Sequence, residues 1–370
     1  MSSSWGRNLR VSIFGESHGP AVGVVLDGLP AGIPLDEEAL GRFMARRAPG
    51  QGAHTTSRKE SDLPLIQSGY YNGYTTGTPL CALIQNKDTR SGDYSEMQQL
   101  ARPAHADYTG FVRYGGYADP RGGGHFSARL TAPLVFAGGV AKQALSRLGI
   151  TVGARISSIY GIEDAPLDPV GVTSGELEAI CAKGFPVLED ARGEEMLAAI
   201  KSAGADGDSV GGVVACCALG LPPGIGSPMF DGVENVIASL LFGIPGVKGV
   251  EFGAGFGSAG LLGSQNNDAM RIEQGNVACD TNNHGGILGG ITSGMPLVVR
   301  AAFKPTPSIA KEQRTVNFVS LQNAALRVKG RHDPCIVPRA VPCVEAAVAI
   351  ALLELMLEGG NQNGFASLAR

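Results

Sequence analysis

Five stretches of the chain set a histidine among cations, carboxylates or hydroxyls in glycine- or proline-rich surroundings. Gly15-Glu16-Ser17-His18-Gly19 follows an apolar run and can hold an imidazole between an acid and a hydroxyl. Arg102-Pro103-Ala104-His105-Ala106-Asp107 joins a guanidinium, an imidazole and a carboxylate in one turn. In Arg121-Gly122-Gly123-Gly124-His125-Phe126-Ser127-Ala128-Arg129, three glycines can expose backbone N–H groups to an anion. The two arginines add bidentate partners for phosphate or carboxylate. Asn282-Asn283-His284-Gly285-Gly286-Ile287-Leu288-Gly289-Gly290 is followed by Lys304-Pro305-Thr306-Pro307-Ser308, where glycine backbone can approach a flat ring while the lysine and hydroxyls fix charge. Lys329-Gly330-Arg331-His332-Asp333-Pro334-Cys335 again joins cations to a carboxylate and an imidazole, and Arg339 follows. Each stretch alone can be a charged turn; together they point to an enzyme acting on a multiply anionic small molecule, with His and Asp for acid–base work.

These residues need a scaffold, and the patterning supplies strands and helices. Short β-branched runs bounded by glycine and proline predict strands over residues 11–14, 22–26, 79–85, 210–215 and 295–301. Helical periodicity covers 36–47, 134–148, 174–183, 193–203, 229–242 and 341–358, so the class is α/β, of the α+β kind. Two segments are echoed later in the chain in the same order. Gly28-Leu29-Pro30-Ala31-Gly32-Ile33 returns as Gly220-Leu221-Pro222-Pro223-Gly224-Ile225, and Gly73-Tyr74-Thr75-Thr76-Gly77-Thr78-Pro79-Leu80 as Gly290-Ile291-Thr292-Ser293-Gly294-Met295-Pro296-Leu297. Chance matching in a glycine-rich chain is one account. The other is a single unit, residues 1–370, made of two similar halves, each a sheet with helices on one face, divided at the polar stretch near 205 into about 1–205 and 206–370.

Composition excludes several classes. Lys and Arg total 30 against 34 acids, a net charge of −4, so there is no basic face of the kind that binds nucleic acid. No apolar run approaches the roughly 20 residues of a membrane span, and the N-terminal segment lacks a signal-peptide core; a soluble cytoplasmic protein is expected. Seven cysteines with no Cys-x-x-Cys spacing argue against zinc and disulfides. Fifty-four glycines fit a site built from loops. Gly255-Phe256-Gly257-Ser258-Ala259-Gly260 has dinucleotide spacing but runs into a polar segment, not a helix.

Taken in order, the clusters resemble the chorismate synthase family, along with Gly207-Asp208-Ser209-Val210-Gly211-Gly212 and Gly263-Ser264-Gln265-Asn266. The resemblance runs from Trp5 to about Leu355. It implies a β-α-β sandwich with an internal pseudo-twofold and a homotetramer. It also implies reduced FMN as cofactor and an anti-1,4-elimination of phosphate and a ring proton from 5-enolpyruvylshikimate 3-phosphate. By resemblance, His18 protonates the departing phosphate, His105 protonates reduced flavin, and Asp333 acts with the flavin in removing the ring proton. Ser17 and Ser127 take part in this proton traffic. Arg47, Arg102, Arg129 and Arg331 hold substrate anions or flavin, and Gly289, Lys304, Pro305, Thr306, Pro307 and Ser308 form the flavin cradle, with His125, Phe126 and Ser127 beside it. With no dependable nucleotide motif, the reductant is expected from outside, NADPH being one source.

The chain departs from the family pattern where His125 and Phe126 replace arginine and serine, and where Leu130 replaces an acid. Ala48 and Ala53 stand at positions that are commonly arginine. Histidine at 125 supplies a cation only when protonated. Two other readings stay open at this point: a flavin-dependent relative with altered chemistry, and a flavin-binding protein without catalysis.

Overall fold

Alternating burial along the strands builds two antiparallel sheets with their apolar faces turned inward. In the strand Ala21–Asp27, Val22, Val24 and Leu26 are buried; in Leu297–Phe303, Leu297, Val299, Ala301 and Phe303 are buried, while Val298, Arg300 and Ala302 are only half-buried. The computed structural model describes residues 3–50, 62–87, 99–328 and 332–358. Its helices are α1 (Glu37–Arg47), α2 (Asp107–Arg113), α3 (Thr131–Ser146), α4 (Ser174–Cys181), α5 (Asp190–Ala205), α6 (Val233–Gly243), α7 (Gly263–Asn266) and α8 (Val337–Glu358).

The first sheet has the order Ser4–Trp5, Arg10–Gly15, Ala21–Asp27, Leu80–Gln85, Pro64–Ser68. The second has the order Val247–Phe252, Leu297–Phe303, Gly212–Leu219, Thr151–Ile159, Ile162–Glu163. Helices α1, α3, α6 and α8 fill the layer between them: α3 packs on the first sheet, α8 on the second, and α3 and α8 on each other. This is a β-α-β sandwich. Helix α1 starts where Asp36 accepts a 2.9 Å bond from the Ala39 amide, with Glu37 and Glu38 in its first turn and Arg46 and Arg47 in its last, so cap and dipole agree.

The two halves follow one path. In the first, the chain runs Arg10–Gly15, Ala21–Asp27, α1, Pro64–Ser68, Leu80–Gln85, α3. In the second it runs Thr151–Ile159, Gly212–Leu219, α6, Val247–Phe252, Leu297–Phe303, α8, with α4 and α5 inserted after the first strand, and the sheet neighbours correspond. The sequence echo has a steric origin. Gly28 and Gly220 end equivalent strands in the left-handed region, at φ +92° and +79°, where a Cβ would collide with the carbonyls of Asn8 and Gly149. The expected division near 205 falls inside the second sheet's own run of strands, at the end of the inserted α5; we propose that the halves divide near Gly149.

Helix α8 is long and apolar enough to cross a membrane by length and composition, which the expectation of no such run overlooked, yet it is buried throughout in the helical layer. Glu345 and Glu354 interrupt its apolar sequence, and both are paired. Glu345 meets Lys142 and Arg46. Glu354 accepts backbone N–H bonds from Arg7 at 2.9 Å, Asn8 at 3.1 Å and Leu9 at 2.5 Å, tying the start of the first half to the last helix of the second. Glu354→Ala strips acceptors from three amides and is expected to cost about 3 kcal/mol in denaturant unfolding. A loss under about 0.5 kcal/mol, the range of ordinary surface changes, would mean that the carboxylate does not clamp the segment. The cysteines are free thiols, most of them buried.

Candidate active site

A cavity of about 740 Å³ opens at one end of the helical layer, within the range of ligand sites. Residues from separate regions of the sequence line it, among them Ser17, Arg47, the segments around His105 and Ser127, Lys304–Ser308 and Asp333. Gly122 lines it, in a turn through Gly122, Gly123 and Gly124 whose φ values of +61°, +84° and +54° favour glycine. The loop bearing Ser17 and His18 is fastened to that turn by a 3.1 Å bond from the Ser17 amide to the Gly124 carbonyl. Asn86 holds the same loop, donating to the carbonyls of Glu16 at 3.0 Å and Gly19 at 2.9 Å, while its own oxygen accepts from Arg129 Nε at 2.8 Å.

His18 is buried directly behind Ser17 and Gly122. A Cβ on Gly122 would lie 2.5 Å from its Cδ2 and 2.6 Å from its Nε2. Gly122→Ala would displace that imidazole, and a shift of an ångström in a reacting group costs about 10²-fold. Turnover is expected to fall by about that factor with binding retained, and a variant of unchanged kcat would separate His18 from the chemistry. Ser17 and Ser127 meet Oγ to Oγ at 3.2 Å, forming a hydroxyl pair on the cavity wall.

Across the turn, His105 Nδ1 pairs with Asp107 Oδ1 at 2.7 Å, and its Cε1 and Nε2 face Gly123. Arg102 reaches the same carboxylate through Nε at 2.8 Å and Nη2 at 2.7 Å, and donates to Ser308 Oγ at 3.3 Å. Burial alone would raise the Asp107 carboxyl; the hydrogen bonds from Arg102 and His105 outweigh it and hold the group well below the usual range. Beside this cluster, Lys304 donates to the Ala104 carbonyl at 2.6 Å, and burial lowers its ammonium below its ordinary value. Among the described residues Thr306 Oγ1 is buried without a hydrogen-bond partner, and Asp333 accepts from Arg339 Nη1 at 2.5 Å.

Some expectations from sequence change at this point. His125 lines the cavity, but its Nδ1 lies 2.8 Å from the Gly15 carbonyl and its Nε2 2.8 Å from Ser3 Oγ, a pairing that a neutral ring satisfies as a brace. Phe126 packs its ring near Tyr114 and Gly110 while lining the same space. Gly289 lies exposed in the turn between Ile287–Leu288 and Ile291–Thr292 and does not line the cavity. Arg331 and Ala53 lie outside the described residues; Ala48 is buried at the end of α1. His284 also lies elsewhere, held by Asp268 on Nδ1 and by Ser293 at 2.9 Å on Nε2, so its cluster locks a loop. Burial raises Asp268, but bonds from Thr281, His284 and two backbone amides bring it down to about 2. Sequence reasoning passed over Asp62 and Asn86 and gave Arg339 no role. Each acts through a partner distant in sequence, and position alone carries no sign of that.

The chain is similar to proteins of one family. The family description that matches residues 9–357 is that of chorismate synthase. A chorismate synthase from Thermococcus kodakarensis is 49% identical over 352 residues, covering 95% of this chain and 97% of the relative. One from Dehalococcoides mccartyi is 46% identical over 360 residues, covering 97% and 98%. A crystal structure of chorismate synthase superimposes with a TM-score of 0.76 at 30% identity, covering 99% of this chain and 98% of the other.

Proposed function

The chain belongs to the chorismate synthase family, and from that premise we propose how its cavity divides the work of eliminating phosphate and a ring proton from 5-enolpyruvylshikimate 3-phosphate to give chorismate. The observation that carries the assignment of roles is convergence. His105, Ser17, Ser127, Arg47, Arg129 and Asp333 come from distant parts of the chain and line one cavity, with His18 directly behind its wall.

Arg47 and Arg129, with Arg102 beside them, hold the substrate's carboxylates and phosphate. His18, backed by Ser17 and Gly122, gives a proton to the departing phosphate, and the Ser17–Ser127 hydroxyl pair passes protons along the wall. His105 keeps a proton on Nε2 with Asp107 as its counter-charge. Asp333, fixed by Arg339, takes up the ring proton.

The residues present suit a flavin. The Thr306 hydroxyl, without a partner among the described residues, together with Lys304, Ser308 and Gly122, offers hydrogen bonds, charge and close backbone approach at the cavity. Reduced FMN held there would supply transient electron density to the ring, with no net redox change. External reductant, NADPH being one source, keeps it reduced. A homotetramer is part of the same proposal, supported by the exposed apolar side chains of Met270, Ile272 and Val277 on one hairpin.

Anaerobic incubation with substrate and reduced FMN, following phosphate and chorismate, tests the reading. Equal yields of the two are expected, with none when oxidised FMN replaces reduced; phosphate release without chorismate would reject it. Binding should show the same preference. Reduced FMN with substrate present is expected to bind far more tightly than oxidised FMN alone, because the cations of the cavity favour an anionic flavin. Equal affinity in titrations of all four combinations would count against a flavin placed among these cations.

A further inference from the structure

We propose that Asp62 is a positioning residue for the elimination, its buried carboxylate setting the guanidiniums of Arg47 and Arg129 at the spacing the substrate's anionic groups require. The inference rests on the reading of Arg47 and Arg129 as anion holders. The Asp62 side chain has no exposed surface; Oδ2 lies 2.9 Å from Arg47 Nε, and Oδ1 accepts from Arg129 Nη1. The two arginine side chains are 4% and 6% exposed. They arrive from unconnected elements, Arg47 from the last turn of α1 and Arg129 from the short segment before α3, and both line the cavity. Neutral acceptors take up other edges: Thr131 Oγ1 at 3.3 Å for Arg47, and Asn86 Oδ1 at 2.8 Å with the Gln85 carbonyl at 3.2 Å for Arg129.

Two like charges buried this deeply repel each other unless a third group fixes them. Asp62 does so from a strained backbone, at φ +46°, a region Asp tolerates better than most residues and one that the surrounding structure must enforce. Burial would raise its carboxyl, yet Arg47 and Arg129 pull it below the ordinary Asp value, so it is ionised at neutral pH. A negative charge beside an anion site weakens long-range attraction for the substrate. Its presence there makes sense as geometry, and that gives the proposal a sign that can be measured.

Asp62→Asn keeps the shape and adds one net positive charge. If position is what matters, affinity for 5-enolpyruvylshikimate 3-phosphate, read by calorimetry on the full chain, falls by about 10- to 100-fold despite the added charge, KM rises with it, and kcat changes less. Tighter or unchanged binding overturns the proposal, since Asp62 would then be a counter-charge or a purely structural group. Asp62→Glu restores the charge but displaces both guanidiniums by one methylene; weaker binding is expected, and unchanged binding overturns the proposal even if the Asn variant does not fold. Arg47→Ala and Arg129→Ala separate the two readings. If neither weakens substrate binding, the assignment of the site fails; if both do while the Asp62 variants bind normally, only this inference fails.

Discussion

Replacing His105 with alanine is expected to slow turnover by roughly 10²–10⁴, the usual loss for a positioned proton donor. The structure gives this number a cause. Asp107 binds Nδ1 of the ring, and Arg102 fixes Asp107 from the other side, so orientation and charge are set together. Because the folded carboxyl lies below its ordinary value, Asp107 stays ionised through the neutral range. The stability it contributes is present above the unfolded Asp value and is lost only as pH falls through the depressed folded one. The ring lies on a loop and buries little of the core, so the melting temperature should barely move. Measured kcat would decide it: a variant that loses activity only because it unfolds would make the histidine a structural residue.

Asp333→Asn is expected to produce a loss of the same order by another route. Asparagine keeps the shape and can still accept from Arg339, so the surroundings of the side chain remain. What disappears is the capacity to take a proton. Substrate affinity should therefore stay within about threefold, a difference worth under 1 kcal/mol, while turnover falls by roughly 10²–10⁴. Calorimetric binding next to single-turnover rates separates the two quantities. Lost binding at preserved rate would mean that Asp333 shapes the pocket and does not accept the proton.

Much of this architecture could be read from residues alone. The strands around Val24, Ala82 and Val299 and the long helices declared themselves because alternation and helical periodicity are local, whereas Pro64–Ser68, Thr151–Ile159 and Val247–Phe252 were not singled out. The echoes at Gly28 and Gly220 were visible because a steric demand forces glycine at both places. The division expected near 205 differs from the one proposed near Gly149 because α4 and α5 follow the first strand of the second sheet, and the polar turn ending α5 has the composition of a linker. Helix α8 was not recognised as span-length because two glutamates interrupt its apolar run, and their partners lie far away in sequence. The site followed the same division. Histidines and arginines in unusual company stood out, whereas Asp62 and Asn86 are ordinary polar residues until the fold brings Arg129 to both. The partners of His125, Ser3 and Gly15, could not be read from sequence because they lie more than a hundred residues earlier.

The meeting of α3 and α8 also bears on ancestry. These equivalent helices touch so closely that a Cβ on Gly138 would collide with Ala346, and each half leaves its own helix covered on one side only. A lone half would expose a continuous apolar stripe and could hide it best against a second copy of itself, the isologous contact of an ordinary twofold dimer. An origin by joining two such copies would account for the repeated path of the halves, with the contact a lone half would seek in a partner now made inside one chain.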